Sequence, residues 1–298
     1  VEIASAAANV QIRGITIRGA AFSGVANRGT LTLAAAVITG NGRSSLAGST
    51  AGGGILNFAG ARLDLLDSVV SDNVASGGGG IDNVGTMTIA RSIISGNSAR
   101  APVGNGAGIL NSGSLTIAQS TISNNTALAQ GGAIWTIGPL SVQTSTISGN
   151  RAASGAGLRI GGQTTILDGV TLSHNDASAR AGGAEIAGGA LRIASSIVAG
   201  NRAPSSPDCL GALVSLGANL VGDSSGCAFT SAAGDQAGSA ASPIDPLLGG
   251  LKLNGGTTPT MAPLPGSPAI YAIDLGTGSC LGTASSDQRG VSRPIGPG

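Results

Sequence analysis

Carboxylates are the side chains in this sequence with the most chemistry to offer, and on a carbohydrate they would act in pairs. Cleaving a glycosidic bond takes two acids roughly 5 to 9.5 Å apart, one on each side of the bond. The 298-residue chain holds 14 Asp and Glu, one Trp, one Tyr and one His. Asp64, Asp82 and Trp135 are the candidates for contact with a sugar, two as acids and one as a flat ring. A lyase would instead need a basic residue over an acidic metal cluster, and the one lysine, Lys252, lies far down the chain. Three cysteines at uneven spacing with a distant His174 make no zinc ligand set, and the Gly-Gly-x-Gly-x-Asp calcium motif never occurs. No metal and no cofactor is expected.

Whether two acids can meet depends on the elements that carry them, and those elements repeat. Asn41, Asn73, Asn97, Asn125, Asn150, Asn175 and Asn201 each close a turn. Three positions before each stands Ile38, Val70, Ile94, Ile122, Ile147, Leu172 or Val198; eight before stands Leu33, Leu65, Ile89, Ile117, Val142, Leu167 or Ile193. The segment ending at the Asn alternates, as in Thr121 out, Ile122 in, Ser123 out, which is the period of a strand. A second alternating run precedes it (Leu115-Thr116-Ile117), and a third follows a glycine pair (Gly108-Ile109-Leu110-Asn111). No two-residue hairpin loops separate these runs, so each strand pairs with its equivalent one coil later. The spacing predicts an all-β, right-handed, single-stranded parallel β-helix, a solenoid of 8 to 9 coils. With about 4.8 Å between paired strands the rod is on the order of 40 Å long.

The turn asparagines form the expected ladder. Asn tolerates the left-handed conformation and its amide can bond the next coil, although a row of amides is also able to hold a sugar. A second column, Asn27, Asn57, Asn83 and Asn111, has the same two readings. Alanine two places after the turn Asn (Ala75, Ala99, Ala127, Ala152, Ala177, Ala203) marks a tightly packed turn. Loop length varies only between the turn Asn and the third strand, the edge where solenoids build recognition surfaces or carry solvated spacers.

On these columns the acids stay apart. Asp64 lies nine places before Asn73, where the flanking coils have Thr32 and Thr88. Asp67 faces Arg91, an ion pair worth under about 1 kcal/mol. Asp82 and Glu185 stand on third strands four coils apart, and Glu185 occupies the place of Ile109 or Ile134 unless a one-residue bulge puts Ile186 inside. A row of threonines suited to ice is interrupted by Asp64 and ended by Arg192. No catalytic residue is assigned.

Composition narrows the partners. Charged residues are 10% of the chain, the net charge is +1, and the basic residues are scattered, so electrostatic capture of nucleic acid or an anionic membrane is not expected. No apolar run is long enough for a transmembrane helix. Ten of the 12 prolines follow Ala203. Residues 1–203 are therefore read as coils, and 204–298 as one last short coil and a closing cap. Cys209 and Cys227 flank that short coil and are expected to be bridged, in keeping with an oxidising, extracellular setting.

The columns resemble the repeats of polymorphic outer membrane proteins and related bacterial β-helix proteins, through Gly78-Gly79-Gly80-Ile81, Gly106-Ala107-Gly108-Ile109 and Gly131-Gly132-Ala133-Ile134. The tail resembles the C-terminal region of the choice-of-anchor Q family through Asp245-Pro246-Leu247-Leu248, Asn254-Gly255-Gly256, Thr258-Pro259-Thr260, Leu264-Pro265-Gly266-Ser267-Pro268-Ala269-Ile270 and Asp287-Gln288-Arg289-Gly290-Val291. Tyr271 stands where that family tends to have Asp, and the usual Cys-Asp-x-Gly ending is missing. The resemblance implies an exported, surface-associated bacterial protein, and a partner for Cys280 in the family cysteine past Gly298. It implies no activity. The expected function is a non-catalytic extracellular or cell-surface structural or adhesive protein, an adhesin or a component of a larger surface assembly. Its partners would be other surface proteins or extracellular polysaccharide. The alternative is a polysaccharide-binding or polysaccharide-degrading β-helix.

Overall fold

A computed structural model describes residues 1–42, 52–270, 272 and 286–292. Tyr271 and Cys280 lie outside the described residues. The chain is a parallel β-solenoid of about 8 turns, with no helix among the described residues. Each turn contributes to three long sheets. Sheet 1 stacks strands such as Ile55–Asn57, Ile81–Asn83 and Ile109–Asn111; sheet 2 stacks Arg62–Leu66, Thr86–Ala90 and Ser114–Ala118; sheet 3 stacks Val69–Ser71, Ile93–Ser95 and Thr121–Ser123. Every pairing in them is parallel and joins equivalent positions, for example Ile81 with Ile55 and Ile109. A fourth, short sheet follows the turn Asn, with strands from Val74–Ala75 to Asp176–Arg180. Three of its five strands have only two residues, too short to show an alternation, so the sequence reveals three strands per coil where five coils have four.

Inside, like residues pile over one another. Ile55, Ile81, Ile109, Ile134 and Leu158 form one fully buried column, Leu65, Ile89, Ile117 and Val142 a second, Val70, Ile94, Ile122 and Ile147 a third. Each such side chain contributes roughly 1.5–3 kcal/mol by leaving water. The alanines two places after the turn Asn form a separate small core, in which Ala99, Ala127, Ala152 and Ala177 meet Ala107 and Ala156 of the glycine-rich turn. The column that holds Leu115, Leu140 and Leu191 contains one misfit, Thr165, buried with an unpartnered hydroxyl.

The turn asparagines are buried and linked end to end. The backbone N–H and Nδ2 of Asn41 both donate to Oδ1 of Asn73 at 3.0 Å, and the pattern repeats through Asn97, Asn125, Asn150, Asn175 and Asn201. Each Nδ2 also donates to a carbonyl one coil back, as Asn41 does to Ile17 and Asn125 to Ile94. The left-handed conformation expected of these asparagines belongs instead to the residue before them: Gly40, Asp72, Gly96, Asn124, Gly149, His174 and Gly200 all have positive φ. That neighbour turns the chain, leaving the Asn free to point its amide along the rod. The second column is a ladder too, with Asn27, Asn57, Asn83 and Asn111 bonded in series at 2.8–2.9 Å and ending on Oγ1 of Thr136.

A third ladder is made of serines five places before the turn Asn. The N–H of Ser68 donates to Oγ of Ser92, Ser92 to Ser120, and Ser120 to Ser145. The residue before each member of this column, from Ala35 through Asp67, Arg91, Gln119 and Thr144 to Gly169 and Ser195, is again left-handed, whether a serine follows it or, as at Ala36 and Val170, does not.

Glu185 does not enter the core. Ala184 takes the interior place opposite Leu158, Glu185 faces outward opposite Arg159, and Ile186 is interior opposite Ile160; the register then slips by one residue at Ala187. The bulge that the sequence calls for is therefore present, just after Ile186. Cys209 and Cys227 are disulfide-bonded, with Cα atoms 5.7 Å apart. Parallel pairing continues past them to Gln236–Ala237 in sheet 3.

The tail then turns back along the outside of sheet 3. Thr121 Oγ1 donates to the Pro259 carbonyl at 2.6 Å, Thr258 Oγ1 donates to the Gln119 carbonyl, and Thr146 Oγ1 donates to Oε1 of Gln288. Thr121 and Thr146, outward residues by their alternation, are consequently buried.

Two substitutions separate these elements. Asn125→Ala removes the acceptor of two buried donors and is expected to lower the unfolding free energy by about 3 kcal/mol, whereas Asn124→Gly, at the exposed left-handed position, should change it by no more than about 0.5 kcal/mol. Thr165→Val is expected to raise it by about 1 kcal/mol by deleting an unpaired buried hydroxyl. Urea unfolding midpoints of the three variants check both.

Candidate functional site

Outward residues stack as strictly as inward ones. On sheet 1 the outward column runs Ala26, Leu56, Asp82, Leu110, Trp135, Arg159, Glu185. Two of the three sugar-contact candidates, Asp82 and Trp135, thus share a column with Leu110 between them. The third does not: Asp64 stands on sheet 2 between Thr32 and Thr88, in an ion pair with Arg62 at 3.1 Å. Trp135 is half-buried and its indole N–H donates to Oε1 of Gln130 at 3.3 Å.

Asp82 is buried between two leucines and its carboxyl has no hydrogen-bond partner among the described residues. Loss of water pushes its pKa up to about 6. The sequence could not show this burial, because the position reads as solvent-facing. The other acid of the column, Glu185, is buried against two guanidiniums: Arg180 bonds its Oε1 at 2.9–3.0 Å, and Arg159 lies 3.4 Å from Oε2 without hydrogen-bond geometry. Four strand spacings separate Asp82 from Glu185, roughly 19 Å, about twice the widest span for cleaving a glycosidic bond.

The acids that do come together are Asp208 and Asp223, a pair the sequence analysis missed. Asp208 Oδ1 accepts both donors of Asn201 at 2.9 Å and Oδ2 accepts the N–H of Asp223 at 2.8 Å. Asp223 Oδ1 in turn accepts from the N–H and hydroxyl of Ser225. Burial raises the pKa of Asp208, partly offset by the Asn201 donors. Three of the four carboxylate oxygens are thus occupied in closing the rod. The signal was available: Asp208 precedes Cys209 and stands where the ladder needs its next acceptor.

His174, an outward turn residue as expected, borders an open groove of about 440 Å³ with Arg151, Asp176 and Arg202. Arg151 and Asp176 are 4.0 Å apart and both well exposed, so their attraction contributes little. Among the described residues no three His, Cys, Asp or Glu side chains gather as a metal site, and no helix is long and apolar enough to cross a membrane. No protein family, curated protein or solved structure matches the chain.

The raised pKa of Asp82 carries a sign. Between about pH 4 and pH 6 the folded chain holds this proton and the unfolded chain does not, so stability falls as pH rises through that window. Raising this carboxyl from its ordinary 3.8 to about 6 corresponds to a penalty of about 3 kcal/mol, complete above pH 6. Asp82→Asn is therefore expected to stabilise the chain at pH 8 by up to about 3 kcal/mol and to change it little at pH 4. Unfolding midpoints measured at both values check it.

Proposed function

We propose that the chain is a non-catalytic structural or adhesive β-solenoid, acting outside the cell or at a bacterial cell surface as a component of a larger assembly. The observation that carries this reading is where the repeated polar side chains go. Both asparagine columns are turned inward and spend their donors on neighbouring coils, and the serine hydroxyls accept a backbone N–H from the coil before, so the most regular polar feature of the sequence serves the rod itself. What faces solvent on the uncovered part of sheet 3 is a flat strip of small and branched residues: Val37, Val69 and Ile93 in one column, Thr39, Ser71 and Ser95 in the next. Such a strip suits side-by-side packing against another protein. The Cys209–Cys227 bond agrees with an oxidising compartment. Membership in the choice-of-anchor Q group, with repeats like those of polymorphic outer membrane proteins, would supply export and anchoring.

The second reading, a polysaccharide-binding or polysaccharide-degrading β-helix, is favoured by one feature: the costly carboxyl of Asp82 is retained in the same column as the only Trp. Incubation of the protein with a panel of acidic and neutral polysaccharides separates the two. The scaffold reading expects no release of reducing ends or unsaturated products above a buffer blank. Turnover that Asp82→Asn abolishes would replace it with the second reading.

A further inference from the structure

The outward column of sheet 3, four places before the turn Asn, changes character along the rod. It reads Val37, Val69, Ile93, then Thr121, Thr146, Thr171, then Ile197. The threonines coincide with the coils that face the returning tail. Thr121 donates to the Pro259 carbonyl and accepts from Nε2 of Gln288, while Thr146 donates to Oε1 of Gln288. Thr171 completes the row, but it is half-exposed and its hydroxyl bonds none of the described residues of the tail. Between this face and the tail lies a cavity of about 280 Å³ instead, lined by Thr171 and by both Thr146 and Gln288.

Three departures from the repeat meet at this cavity. Gly169 takes the left-handed position that carries Asp67, Arg91, Gln119 and Thr144 in earlier coils, which removes a side chain from the wall. Val170 replaces the ladder serine, so the N–H of Ser145 lacks the hydroxyl acceptor that Ser92 and Ser120 have in their turn. Ser195, at the left-handed position one coil on, has a hydroxyl without a hydrogen-bond partner and lines the same space. The tail side of the wall sets Met261, Ala262, Pro263 and Ala269 beside Asn254, Thr260 and Gln288, and the only charges in the lining, Asp287 and Arg289, neutralise each other at 2.7 Å.

Hydroxyls and amides around the wall, an apolar patch at Met261 and Pro263, and no net charge describe a site for a ring that is polar at its edge and apolar on its face. We propose that this cavity binds a single neutral sugar unit, with Thr171 and Ser195 as its hydrogen-bonding residues and Met261 and Pro263 against the ring face. The volume sits near the lower end of ligand pockets, about 300 Å³, and admits one ring rather than an oligosaccharide. The inference does not rest on the scaffold reading, which stands whether or not the cavity is filled.

The test is saturation-transfer NMR and chemical-shift titration of the whole chain with a panel of neutral methyl pyranosides, including N-acetylated ones. At least one is expected to bind in the millimolar range and to shift the amides of Val170, Thr171 and Ser195. Ser195→Gln should weaken it at least tenfold by filling the cavity; Gln119 already occupies that column, so the backbone accepts the side chain. Thr171→Val removes one hydroxyl at a position where Val69 stands in an earlier coil, and should weaken binding several-fold with an unchanged urea midpoint. Should Ser195→Gln not fold, Thr171→Val decides alone. A panel in which nothing shifts those amides, leaving the cavity to water, overturns the proposal. So does binding that survives every folded variant.

Discussion

A buried amide needs partners on both of its ends, and that requirement governs this rod. Each turn Asn has two N–H donors and an oxygen able to accept twice, and all of them are shut away from water. An unmade bond there costs about 1–3 kcal/mol, comparable to the gain from burying a whole aliphatic side chain. The partners that fit are the same group one coil away and a carbonyl of the coil behind. Strand spacing, register and the direction of every coil are therefore tied together: a slip of one residue would strand the amides of the whole column. The apolar columns need burial, which is indifferent to partner identity. The asparagines need a particular neighbour, and that need makes the stack specific.

A ladder also has to stop, and each end creates a different chemical problem. The last donors of the turn column, on Asn201, find a carboxylate in place of an amide, and the serine column likewise passes through Asn219 to Asp235. A carboxylate accepts without needing to donate, so it terminates a row whose donors all point one way. Placing it there takes a charge out of water, which is why the pKa of Asp208 is raised despite three N–H donors. The disulfide lies beside this terminus, where Cys209 follows Asp208 directly.

Much of this was legible in the sequence because solenoid columns are linear in residue number. Asn and Ile at fixed offsets survive insertions elsewhere, so coils, core and both asparagine ladders follow from counting. The serine ladder escaped notice for a physical reason: serine is common on outward faces too, and Val170 and Ala36 interrupt the column. The returning tail escaped because its bonds join residues 138 to 168 apart, a separation no periodicity records. The left-handed turn position was misplaced by one residue, since it accepts Gly, Asp, Asn and His alike and only the backbone distinguishes it from the invariant Asn beside it. Of the candidate site, the shared column of Asp82 and Trp135 was countable from the register. The burial of Asp82 was not, because an outward position reads as solvent-facing from its offset alone, whatever stacks on either side of it.

In such a protein, regularity and function belong to different residues. A column that repeats without exception satisfies the rod's own hydrogen bonds and packing, and a change in it destabilises neighbours on both sides. A column that changes at one coil answers something local. The change from Val and Ile to Thr on sheet 3 answers the tail at Thr121 and Thr146. The slip at Ala187 lets Glu185 face Arg159 and Arg180 without opening the core. Asp82 is the exception that answers nothing among the described residues, since its neighbours along the column are leucines and its charge is unpaired. A leucine, as in the coils on either side, would fill the same place without the cost of burying a carboxyl.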